Sequence, residues 1–245
     1  MRKLLAAVAG TLVPPKGDRH GPLLPLLLLA TVVTGIVDAA SFLALGQVFV
    51  GNMTGNVLLL GFALAGAEQL SASASVVAFA AFLTGAAAGG RIGGGSVAHR
   101  GRLLAVATAL EALLVVAAVV TATVAHDSPG GGARYTLVVL LALAMGLQSA
   151  TARRLGIPDL TTTVVTQTLT GLAAEPAPAG GVPRRSGRRV LSVLAMFLGA
   201  LVGAALVLYA SLALTLGLAL LLLVVICAVA YRLSSADAAW TAPTA

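Results

Sequence analysis

Apolar residues in this chain fall in long runs, not in the alternation of a strand or the narrow stripe of a surface helix. A helix apolar on every side is buried in protein or in lipid. Leu23–Leu45, Leu103–Ala125 and Tyr135–Ala152 are such runs, and Ser71–Gly90 is one rich in Ala and Gly. Two further runs are broken. Gln47–Gly66 carries "GNMTGN" at 51–56, and Ile157–Ala174 is heavily substituted with threonine. The last run, Val190–Tyr231, holds no charge. As one helix it would reach roughly 60 Å, about twice the ~30 Å hydrocarbon thickness of a bilayer. It must fold back, near Tyr209, Ser211 and Thr215. The loops between runs are short, as in "GAEQ" and "HDSPGGGAR". The pattern predicts an all-α polytopic membrane protein with about six transmembrane helices and two broken or re-entrant segments. The alternative is eight short helices in parallel repeats.

The runs also repeat. "MTGN" at 53–56 aligns with "VTQT" at 165–168, and "FLTGAAAG" at 82–89 resembles "FLGALVG" at 197–203. Gly35 and Gly146 correspond, with Asp38 and Gln148 soon after each. The reading is a single membrane domain, 22–232, made of repeat 1 (about 22–126) and repeat 2 (about 134–232). A cytoplasmic tail, 1–21, precedes it and a C-terminal tail, 233–245, follows. Arg2, Lys3 and the apolar Leu4–Val13 resemble a cleaved leader, but Pro14, Pro15, Lys16, Asp18 and Arg19 then intervene before a far longer run.

Charge chooses between the topologies. If all eight runs cross, Arg91, Arg100, Arg102, Arg153 and Arg154 lie outside. If the broken runs enter and return on one side, every one of the fifteen Lys and Arg residues except Arg134 lies inside. The second count fits the retention of basic residues on the cytoplasmic side. Three crossings per repeat then invert the second half relative to the first. Inverted repeats whose broken helices meet near the midplane are the design of many secondary transporters.

Composition agrees with a membrane chain. Of 245 residues, 59% are hydrophobic and 9% charged; the mean hydropathy is +1.03. Soluble domains average about 25% charged residues. The net charge of +7 belongs to arginines beside anionic lipid, and aromatics at 4% offer nothing for stacking nucleic acid. Cys227 is the single cysteine, and His20, His99 and His126 lie far apart, so no metal set is expected. No nucleophile–base triad, HExxH or CxxC is visible. The expectation is no enzyme, no cofactor and no nucleic acid, with membrane lipid and a small polar solute or ion as partners. A homodimer is a further expectation, since six helices barely enclose a pathway.

Candidate chemistry sits in the breaks. Asn and Gly are poor helix formers, and lipid cannot satisfy bare backbone. Asn52, Thr54 and Asn56 with freed carbonyls would form a solute or ion site; the other reading is a helix contact through Gly51 and Gly55. Thr162 and Thr166 share a helical face, beside Gln167, and would line the second half of a pathway. Threonine bonding to its own helix carbonyls is the other reading. Gln148 is an extra ligand. Asp38 and Glu111 are carboxyls inside spanning runs, hence candidates for proton coupling or for bonding a neighbouring helix. Gly85, Gly89, Gly199 and Gly203 read as packing surfaces.

The stretch "GIVDAASFLALGQVFVGNMTGNVLLLG" at 35–61 resembles the YoaK-like family of bacterial membrane proteins, as do "MGLQSATARRLG" at 145–156 and "TTTVVTQTLTGL" at 161–172. The likeness extends over most of 22–232. That family usually has a glycine after the second threonine, where this chain has Gln167. The resemblance implies a multi-pass protein of the bacterial inner or cytoplasmic membrane with about six helices, and supplies no catalytic residues. The function expected is a small transporter or permease for a small polar solute or ion, with proton coupling through the buried carboxyls as one form of it and both termini cytoplasmic. The alternatives are a passive channel and a non-transporting scaffold.

Overall fold

The computed structural model describes residues 10–11, 18, 20–94, 99–125, 130–157, 184–234 and 240–241. Seven helices lie among them: α1 Leu23–Ala44, α2 Met53–Leu64, α3 Ala72–Gly94, α4 Arg100–Val124, α5 Gly131–Leu155, α6 Arg184–Tyr209 and α7 Leu212–Leu233. All but α2 are long and apolar enough to cross a membrane. The 12 residues of α2 make a rod of ~18 Å, well short of the ~30 Å hydrocarbon layer. The first broken run is therefore a turn followed by a short helix. Of the second, Thr162, Thr166 and Gln167 lie outside the described residues.

Local chemistry sets the ends. The long final run breaks where Ser211 caps α7, its hydroxyl accepting the N–H of Leu214 at 3.1 Å. Gly46 ends α1 at φ +91°, and the Gln47 N–H reaches back to the Phe42 carbonyl at 3.1 Å. That is a Schellman closure, whose left-handed residue favours glycine.

Helix association in lipid gains little from apolar burial and relies on close packing. The main pairings are α1 with α6, α3 with α5, and α4 with α7. In the first two, glycines bring backbone against backbone. A Cβ on Gly199 would lie 2.2 Å from the Val32 carbonyl oxygen, and one on Gly35 2.5 Å from that of Met196. Likewise, a Cβ on Gly85 would lie 2.1 Å from the Leu143 oxygen, and one on Gly146 2.1 Å from that of Phe82. One turn on, Gly203 meets Ile36 and Gly89 meets Leu147. Residue numbers rise together in both pairs, so each pair is parallel.

The two ends of the bundle differ. At one, the Arg100 guanidinium donates to the carbonyls of Leu155 and Trp240, and the Arg100 N–H donates to Thr241 O at 3.1 Å. Trp240 packs over Gly21 and stands edge-on to His99, 5.9 Å between ring centres. The starts of α1 and α4 and the end of α5 thus share this end with the segment after α7. At the other end, Gly46 meets Arg134 and the Ser73 hydroxyl bonds that of Tyr135 at 2.7 Å. So α1 and α4 run one way, and α5 and α7 the other. Eight crossings would put the starts of α1 and α4 on opposite faces; the six-helix arrangement puts them together, as found. Arg91, Arg102, Arg153, Arg154 and Arg232, near the ends of their helices, fall at the Gly21 end.

Adding a methyl at Gly35, Gly85, Gly146 or Gly199 forces two helices apart, and overpacking of this kind costs about 1–3 kcal/mol. Each Gly→Ala variant is expected to unfold at lower temperature in detergent. Gly61→Ala, with open space around it, is expected to unfold like the parent.

Candidate functional site

The turn after α1 is built around Asp38. Its Oδ1 accepts the N–H of Val50 at 3.0 Å and of Gly51 at 2.7 Å. Val50 and Gly51 are buried, and the carboxyl supplies their N–H groups with an acceptor. A side chain at 51 would press on Thr34 at 3.0 Å and on the Asp38 oxygens at 3.3 Å. Asn56 completes the turn. Its Nδ2 donates to the Phe49 carbonyl at 2.6 Å, and its Oδ1 accepts the Phe49 N–H at 2.9 Å. Phe49 in turn stacks on Phe42, 4.9 Å between centres. A Cβ on Gly55 would touch the Phe49 ring at 2.7 Å, so Gly55 leaves room inside the turn, while Gly51 lets the turn lie against Thr34 and Asp38 of α1. Asn52 is half-buried at the N-terminus of α2 without a side-chain cap bond, and Thr54 is exposed.

A second cluster lies deeper. Thr34 is one turn before Asp38 on α1. Its hydroxyl donates to Ala30 O at 3.1 Å and accepts Gln148 Nε2 at 2.7 Å; the same amide also reaches Ala30 O at 3.3 Å. Gln148, 5% exposed, lines a cavity of about 10 Å³ together with Glu111, 2% exposed, and with Thr108 and Thr151. Gln148 Oε1 and Glu111 Oε1 have no hydrogen-bond partner among the described residues. Asp38, Thr34, Gln148 and Glu111 thus form a polar seam from the turn to the middle of α4. A larger groove of about 570 Å³, between α4 and α7, is walled by apolar residues such as Val106, Leu113 and Val224, all exposed. It opens on the lipid-facing side and offers a polar solute nothing.

The structure therefore joins Asp38 to the turn and Gln148 to Glu111, and leaves Thr54 at the periphery. Thr34 links the two groups and is absent from the residues singled out in sequence. Its signal was present: Thr31, Thr34, Asp38 and Ser41 recur at helical spacing on α1, and all four are buried. Arg100 and Trp240 had no local signal, being 140 residues apart.

Six apolar helices around a buried polar seam define a polytopic helical membrane protein. The chain belongs to the family described as "Protein of unknown function (DUF1275)", whose model matches residues 26–229. It is 33% identical over 148 residues to the UPF0700 transmembrane protein YoaK of Bacillus subtilis (strain 168). That alignment covers 60% of this chain and 64% of YoaK, less than two thirds of the relative's length. The YoaK-like resemblance read from 35–61 and 145–172 holds. No solved structure matches the chain.

Asp38→Ala leaves two buried N–H groups without an acceptor, at about 1–3 kcal/mol each. The expected result is faster hydrogen exchange at Val50 and Gly51 and a lower unfolding temperature, with Asp38→Asn, which keeps one acceptor oxygen, in between.

Proposed function

We propose that the protein is a small permease for a small polar solute or ion, made of two inverted three-helix halves. The observation that carries this reading is the seam from Asp38 through Thr34 and Gln148 to Glu111. Buried polar groups at this depth of a membrane bundle are costly and mark pathways for ions and solutes. The seam also joins α1 of one half to α5 of the other, which is where transporters with inverted repeats place their sites.

Contacts between the halves support the inversion. Exchanging the halves carries Gly35 onto Gly146 and Gly199 onto Gly85. The contact of Gly35 with Met196 then becomes that of Gly146 with Phe82, and Gly199 with Val32 becomes Gly85 with Leu143. The pairing α1–α6 becomes α5–α3, while α4–α7 maps onto itself. The arginines gathered at the Gly21 end support, by the positive-inside rule, a cytoplasmic side for both tails in a bacterial cell. Labelling single cysteines in a Cys227→Ala background tests this: Glu68→Cys is expected to react from outside intact cells, and Arg102→Cys only after the membrane is opened.

One observation favours a non-transporting scaffold. The polar atoms of Asn56 and the Asp38 oxygen Oδ1 are engaged by the turn's own backbone, so they fix structure and leave Gln148 and Glu111 as the groups available to a solute. Stopped-flow light scattering on proteoliposomes separates the readings. Gradients of urea, glycine, NaCl and KCl are imposed in turn. A permease relaxes one of them faster than empty liposomes do. Gln148→Leu is expected to slow that relaxation about tenfold, the equivalent of one lost polar contact at the barrier. Equal rates with and without protein for every gradient would leave the scaffold reading.

A further inference from the structure

Of the buried carboxyls among the described residues, Asp38 has an evident structural task and Glu111 has none. Glu111 makes no hydrogen bond among the described residues, and its Oε1 is sealed from solvent. It sits near the middle of α4, with no counter-charge across the cavity. The walls facing it are Leu27 and Ala30 of α1, Thr151 and Ala152 of α5, and Leu223 and Ile226 of α7, none of them titratable. Directly on this cavity stands Gln148, whose amide nitrogen is held by Thr34 and Ala30. That anchorage fixes which end of the amide is spare: the oxygen, which also lacks a partner. Two buried groups with unpartnered oxygens thus line one space, and the Thr151 hydroxyl hydrogen is taken up by Leu147 O at 2.9 Å. The rest of the hollow is mainly apolar, with only the Thr108 and Thr151 hydroxyls beside these oxygens, so an ionised Glu111 would stand there without a counter-charge and favour a bound positive one. Its volume of about 10 Å³ is room for one water-sized occupant.

We infer that Glu111 and Gln148 form a binding site for a single small monovalent cation, flanked by Thr108 and Thr151. The cation is a proton carried between the carboxyl and an enclosed water, or a sodium ion on the same oxygens. Both supply the one positive charge the carboxylate lacks. Binding a proton forms the Glu111 O–H bond and leaves the carboxyl neutral; binding sodium leaves it ionised with the metal beside it. The site needs no transport to exist, so this inference stands apart from the permease reading.

Infrared difference spectroscopy of the full-length protein in nanodiscs tests it. The chain is titrated to alkaline pH in N-methylglucamine buffer, and the spectrum of Glu111→Gln is subtracted to remove every other carboxyl. The expected result is a protonated-carboxyl stretch that disappears as a carboxylate band rises. Sodium chloride added at fixed pH then identifies the occupant: the same exchange of bands assigns sodium, and no change assigns the proton. In either case Gln148→Leu is expected to displace the transition. Should Glu111→Gln fail to fold, Glu111→Asp replaces it, and the band must move in frequency. A Glu111 band indifferent to both pH and sodium until the protein unfolds would overturn the site, as would a transition that Gln148→Leu leaves in place. Since the spectra are read without any gradient, a scaffold with the site titrates and a permease without it does not, so the two ideas fail separately.

Discussion

The close approach of helix backbones at four glycines is the constraint on which the rest of the molecule depends. Lipid tails are as apolar as the side chains they surround, so apolar area alone cannot hold one spanning helix on another. Gly35 and Gly199 remove the side chains that would keep α1 from α6, and Gly85 and Gly146 do the same for α3 and α5. The resulting contacts set the depth at which each helix sits relative to its partner. That depth places Thr34 level with Gln148 and so creates the polar seam.

Around this frame the backbone must still be satisfied. The chain leaves helical geometry at 45–52, where Val48, Val50 and Gly51 are buried, and two side chains supply partners for the backbone. Asp38 takes donors from residues 50 and 51, and Asn56 serves both the donor and the acceptor of Phe49. Irregular backbone at such a depth is tolerated where protein covers it, and here α1 and the first turn of α2 do so. The same economy appears where Arg100 meets three main-chain oxygens, those of Leu155, Trp240 and, through its own N–H, Thr241.

Much of the architecture was legible from the residues. Five unbroken apolar runs became six long helices, the last run dividing at Ser211, and Gly85, Gly89, Gly199 and Gly203 lie where helices meet, because periodicity and small side chains act locally and leave a trace in sequence. The interior of the site was less legible. Asp38 was readable as a buried carboxyl, yet its partners are main-chain N–H groups, which every residue but proline carries and no sequence advertises. Glu111 and Gln148 were each visible as polar interruptions, but their meeting depends on the crossing of α4 and α5. Trp240 docking on Gly21 and Gly101 is a contact between distant parts of the chain with no motif at either end.

The partnering of helices has a mechanical consequence. The tightest couples, α1 with α6 and α3 with α5, each draw one member from the first part of the chain and one from the second. The stiff bodies of this protein are therefore chimeric. Any large rearrangement would slide one mixed couple past the other, with α4 and α7 as a shared axle, and would not swing the amino-terminal portion against the carboxy-terminal one. Cutting the polypeptide between α4 and α5 would sever a tether and leave both couples intact.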